Sequence, residues 1–143
     1  MTDYATAADL DTYFGNAEVL IAADRDGSGA EDTGVVAGAL LAATEEIDTF
    51  LAVRYDLPLA AVPGHLMRVA CDIAMYHLSI NGPSMTKAKE EKYEGRLSWL
   101  KMLAKGLVTL GPEEAEVEVQ DDVLLSTSSQ TRLFTRTTMR GLT

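Results

Sequence analysis

Cysteine and histidine are scarce in these 143 residues, and each scarcity removes a class of protein. Cys71 stands alone, so neither an internal disulfide nor a cysteine-based metal cage can form, and its apolar neighbours give it the reading of a small core residue. His65 and His77 lack the H-x-x-x-H spacing that places two zinc ligands on one helical turn. Cys71 and His77 are separated by a helical rotation of about 240°, which argues against a local nucleophile and base. No G-x-S-x-G, P-loop or dinucleotide fingerprint occurs. Long apolar runs are absent too; those present fall far short of the roughly 18 residues of a membrane span, so a soluble chain is expected. Met1-Thr2-Asp3-Tyr4 has neither the basic region nor the apolar core of a secretory signal, which makes the cytoplasm the expected place of synthesis and use. Adjacent acids such as Glu45 and Glu46, or Glu90 and Glu91, read as solvated helix faces. A hydrolase built on a carboxylate pair would rest on the abundance of Asp and Glu alone, and no enzyme is expected.

What is present describes one modest globular core. Hydrophobic residues make up 47% and charged residues 24%, and folding a chain of this length hides roughly two-thirds of its surface. The net charge of −10 is unevenly placed. Residues 1–64 hold twelve acids against Arg25 and Arg54. Glu113, Glu114, Glu116, Glu118, Asp121 and Asp122 form a second acidic stretch, whereas residues 126–143 contain Arg132, Arg136 and Arg140 and no acid. An acidic body disfavours sequence-independent nucleic-acid binding, and a basic tail suits docking on an acidic surface, such as that of a neighbouring copy.

The apolar periodicity predicts helices. Thr6 is placed to cap a short helix over Ala7–Phe14 that Gly15 ends, and Ala17–Ala23 has room for another turn or two. After the Asp24–Gly34 loop, Val36, Leu40, Ala43, Ile47, Phe50 and Leu51 recur at helical spacing until Pro58. Asp56–Gly64 reads as a stiff connection, and a central helix over His65–Ile80 carries Leu66, Val69, Ala70, Ile73, Ala74, His77 and Leu78 on one broad face. Asn81-Gly82-Pro83 breaks it, and a last helix over Ser84–Lys105 aligns Tyr93, Leu97, Leu100 and Ala104 before Gly106. Val117, Val119, Val123, Leu124 and Leu125 then suggest extended structure. The expected fold is mainly α, a compact bundle of four to five helices with an extended, partly β C-terminal arm. Residues 1–111 form the helical domain of this reading and 112–143 the extended segment and docking arm.

Two stretches are candidate sites. In Asp24-Arg25-Asp26-Gly27-Ser28-Gly29, oxygen-bearing side chains at loop positions 1, 3 and 5 with Gly at 6 match the start of a calcium loop, and Asp32 fits position 9. Position 12 is Val35, which cannot ligate. Asp24, Asp26, Ser28 and Asp32 are therefore candidate ligands of calcium or another hard cation, and the alternative is a tight acidic turn in which Asp side chains bond the backbone. In the tail, Arg132, Arg136 and Arg140 recur every four residues, interleaved with Leu133, Phe134, Met139 and Leu142. That pattern fits an anchor peptide whose apolar groups fill pockets while its arginines pair with carboxylates. A disordered tail is the alternative.

The order of motifs resembles the head–tail connector (adaptor) proteins of Mu-type tailed bacteriophages. The opening half carries the likeness in Ala8-Asp9-Leu10 through Phe14-Gly15, in Asp24-Arg25-Asp26-Gly27, and in Glu46-Ile47-Asp48 through Arg54-Tyr55-Asp56-Leu57-Pro58-Leu59. It continues in Val62-Pro63, in Leu66 through Tyr76, and in Arg132-Leu133-Phe134-Thr135-Arg136 with Arg140-Gly141-Leu142. The family pattern is broken at Ser28, which replaces a frequent Asp, and at Thr137-Thr138, which replaces a more acidic pair. The resemblance implies a small helical adaptor without cofactor. It would assemble as a homo-oligomeric ring, typically of twelve copies, beneath the portal protein of the virion, extending the DNA channel and offering a surface to a neck or tail-terminator protein. The calcium-responsive binding module is the alternative function.

Overall fold

In a computed structural model, residues 3–80 and 82–111 are described, and they fold as five α-helices. α1 spans Ala7–Phe14 and is closed by a capping box: Asp9 N–H donates to the Thr6 hydroxyl, and the Thr6 backbone N–H donates to the Asp9 carboxylate at 2.8 Å. Gly15 ends it at φ +90°, a backbone conformation that side-chain-bearing residues rarely adopt, and starts α2 over Asn16–Ala23 directly. The predicted helix from Val35 begins two residues earlier, with α3 over Thr33–Leu51 and Asp32 in the N-cap position. α4 runs over Gly64–Ser79, starting on Pro63, whose missing N–H costs nothing there. α5 covers Lys87–Ala104. Its start lies three residues beyond the sequence expectation because Thr86, and not the residues after Pro83, supplies the side-chain oxygen that accepts Lys89 N–H.

α4 is the axis of the bundle. Leu66, Val69, Ala70, Cys71, Ile73, Ala74, Met75 and Leu78 are all buried, and α4 packs most extensively on α3 and next on α5. α3 contributes Val36, Ala39, Ala43, Ile47 and Leu51, and α5 contributes Leu100 and Leu103. The short α1–α2 pair closes another side of α4 with Leu10, Val19, Ala22 and Ala23. α4 and α5 run antiparallel, as Ser79 meets Lys89 and Asp72 meets Arg96. α3 and α5 run in the same direction, as Glu46 meets Tyr93 and Arg54 meets Val108. The burial of side chains of this size, at roughly 1.5–3 kcal/mol for each large one, is the main stabilising term.

The expected mainly α bundle with a partly β C-terminal arm needs correction. The described residues form an all-α bundle of five helices and contain no strand. Val108 and Leu110, beyond α5, pack against the helical core. Residues 112–143, on which that arm was placed, lie outside the described residues.

Candidate assembly interface

The acidic loop between α2 and α3 brings the candidate ligands Asp24, Asp26, Ser28 and Asp32 together, and it does so through its own backbone. Ser28 N–H donates to Asp24 Oδ1 at 3.0 Å and to Asp26 Oδ1 at 2.9 Å, and Gly29 N–H donates to Asp24 Oδ2 at 2.9 Å. Arg25 N–H donates to Asp32 Oδ2 at 3.2 Å, and Ala30 N–H to the Ser28 hydroxyl at 3.3 Å. These bonds let a run of Asp, Ser and Gly reverse direction, since each carboxylate satisfies N–H groups that no helix claims. The Ser28 hydroxyl and backbone hold the Asp26 carboxyl below the usual carboxylate range. Gly27 and Gly29 take φ +73° and +79°, the left-handed conformation this turn needs. Among the described residues, no group of three or more His, Cys, Asp or Glu is arranged to hold a metal ion. The tail candidates Arg132, Leu133, Phe134, Arg136, Met139, Arg140 and Leu142 lie outside the described residues.

Four polar ties that spacing did not reveal hold the bundle together. Glu46 of α3 accepts Tyr93 O–H at 2.8 Å and lies 3.1 Å from His77 Nε2, while Tyr93 stacks on Tyr76 with ring centroids 3.8 Å apart. Burial and the Glu46 carboxylate push the Tyr93 phenol well above its ordinary pKa. Glu46 is thus no solvated partner of Glu45; it joins α3, α4 and α5. Asp72, with a side chain fully buried in α4, accepts Arg96 Nε–H at 2.7 Å. Lys89, buried at the start of α5, reaches Glu18 at 3.1 Å, the Ser84 carbonyl at 3.0 Å and the Ser79 hydroxyl at 3.3 Å. Tyr4 O–H donates to Asp48, fastening the N-terminal segment to α3. In all four the partners come from separate stretches of chain, so no local motif announces them. Each ties one segment of the fold to another, which is a device for holding helices in register.

Elsewhere, Cys71 is buried against Met67, 3.9 Å away, and its thiol is pushed up to about 11 by burial and then by the charges of Asp9 and Asp72. It is no nucleophile near neutral pH, since the thiolate is the reactive form. His65 packs edge-on to Trp99 at 4.8 Å; burial, then Arg96 and Arg68, holds its pKa below the ordinary value. No helix among the described residues is long and apolar enough to cross a membrane.

The surface carries what the interior does not use. Val53 and Leu107 are 70% and 71% exposed and Ile21 is 64% exposed, large apolar groups left in water on a small chain. The molecule is thus an α-helical bundle held together by internal polar ties, with apolar groups on its surface that suit contact with other proteins. Comparison with known proteins agrees. The family Bacteriophage Mu, Gp36 matches residues 4–125. Gene product J of Escherichia phage Mu is 30% identical over 138 residues, 94% of this chain and 95% of the relative. The Mu-like prophage FluMu protein gp36 of Haemophilus influenzae is 33% identical over 110 residues, 77% of each chain. The chain belongs to the Bacteriophage Mu Gp36 family: it is a structural, non-enzymatic phage protein of the virion's head–tail region, where it contacts other virion structural proteins.

Proposed function

We propose that the protein is a connector that forms a ring beneath the portal, extends the DNA channel and presents the surface to which the tail attaches. The observation that carries the reading is likeness along nearly the whole chain to Gene product J of phage Mu. A ring of about twelve copies is the expected assembly, with the portal on one side, a neck or tail-terminator protein on the other, and assembly in the host cytoplasm. Net negative charge suits the wall of a channel through which DNA passes without sequence-specific binding. In this reading residues 112–143 are the docking arm of the helical domain, with Arg132, Arg136 and Arg140 pairing with carboxylates and Leu133, Phe134, Met139 and Leu142 filling pockets on a partner. Electron cryomicroscopy of the particle neck tests this. Density for a ring of five-helix domains between portal and tail supports it, and particles that lack the protein overturn it.

The calcium-responsive module would require the Asp24–Asp32 loop to exchange backbone N–H partners for a cation. The expected result of calorimetric titration is no binding at about millimolar calcium, the weak end of known calcium loops. Saturable heat lost on replacing Asp24 would favour the module instead.

A further inference from the structure

We propose that the two ends of the bundle are complementary and that one copy docks head to tail on the next, the apolar, basic end of one seated on the acidic α2–α3 loop of its neighbour. The inference deepens the connector reading and rests on it. α3 defines the two ends: its 19 residues separate them by about 28 Å. At its C-terminal end, Arg54 Nη1–H donates to the Val108 carbonyl at 3.3 Å, tying the turn after α3 to the turn after α5. That tie places Val53, 70% exposed, and Leu107, 71% exposed, at one end of the molecule. Met102 and Val62, 38% and 37% exposed, stand at the same end, where α5 finishes and α4 begins.

Charge follows the same axis. Among the described residues, 49–68 and 98–111 build this end, and they hold Arg54, Arg68, Lys101 and Lys105 against Asp56. Lys101 and Lys105 are exposed and have no ion-pair partner among the described residues. The opposite end, built among the described residues by 16–34 and 82–92, holds Glu18, Asp24, Asp26, Glu31, Asp32, Glu90 and Glu91 against Arg25, Lys87, Lys89 and Lys92; the α2–α3 loop itself holds Asp24, Asp26, Glu31 and Asp32 against Arg25, and Ile21 beside it is 64% exposed. A second copy therefore supplies both things the apolar end needs, carboxylates for its lysines and an apolar group for its patch. DNA would answer the lysines alone. Because the complementary patches lie at opposite ends and not on one self-matching face, the contact is heterologous. Repeated, it gives a closed ring when the rotation per copy closes.

Sedimentation velocity of the full chain tests the idea without portal or tail. The wild type is expected to self-associate with concentration, less so at high salt. Lys101→Glu with Lys105→Glu, and separately Asp26→Lys with Glu31→Lys, should each weaken association about tenfold or more. An equimolar mixture of the two doubly substituted proteins should recover it, because every contact then pairs opposite charges. Val53→Ser with Leu107→Ser, which leaves every charge in place, should weaken association to a similar degree; circular dichroism establishes that each variant is folded. Wild-type protein that stays monomeric at about 100 µM, far above the working range of a specific interface, would overturn the inference. So would charge-reversed variants that assemble normally, or a mixture that stays apart. Loss of association on deleting residues 112–143, with the charge reversals silent, would assign the patch to that segment and also overturn it. None of these failures would remove the neck density that tests the connector reading.

Discussion

At the scale of single residues, two buried groups control stability in different ways. Asp72 is fully buried and tied to Arg96, whose own side chain is 27% exposed. Truncating Arg96 to Ala would leave a carboxylate in the core with its countercharge gone, and its Oδ1 already has no hydrogen-bond partner among the described residues. The expected loss is about 3 kcal/mol in urea unfolding, at the low end for broken buried pairs because Arg96 is part-solvated. A loss under about 0.5 kcal/mol would show that Asp72 finds another cation. Cys71 acts through pH. Its ordinary thiol value of 9.0 is pushed up to about 11 in the fold. The proton is held more tightly folded than unfolded, so this contribution is complete below pH 9 and is lost as pH rises toward 11. Cys71→Ala should therefore flatten the fall in melting temperature between pH 9 and 11 relative to wild type. Parallel curves would show that the thiol is not what titrates.

Elements show what the sequence made legible. The sequence expectation matches α1 to the residue because Thr6 and Gly15 mark both ends within ten positions, and it matches α4 to one residue at each end because its apolar face is continuous. α5 was drawn three residues too early, since Ser84 and Thr86 are both capping residues and only packing chooses between them. The acidic loop is legible as a turn with two readings, and in the structure its Asp24 and Asp26 carboxylates accept backbone N–H groups of the loop itself. Illegible were the Glu46–His77–Tyr93 cluster, the Asp72–Arg96 pair and the burial of Lys89, because each depends on which helices lie side by side. Glycine within helices gives the element-scale prediction. A Cβ at Gly38 in α3 or Gly95 in α5 would meet nothing within 4 Å. Gly38→Ala and Gly95→Ala should each stabilise the monomer by roughly 0.5–1 kcal/mol, through the lower entropy of the unfolded chain and better helix propensity. Destabilisation in dilute solution would mean that the helix backbone is approached more closely than it is in the isolated bundle.

For the molecule as a whole, the division of labour between bundle and tail is the point at issue. Among the described residues, Val108 and Leu110 pack against the helical core beyond the end of α5. Residues 126–143 add Leu133, Phe134, Met139 and Leu142 and three arginines to a chain whose remainder is strongly acidic. Segments this poor in large apolar groups gain little from folding alone and more from a partner that supplies pockets and countercharge. Deleting residues 128–143 should therefore leave the helical signal unchanged and the unfolding free energy within about 0.5 kcal/mol, the scale of changes away from a core. The same deletion should abolish capture by purified portal protein. Head-to-tail self-association, which draws on the two ends of the bundle, should persist. A loss of several kcal/mol would place the tail inside the fold, and undiminished capture would move the partner-binding surface onto the helices.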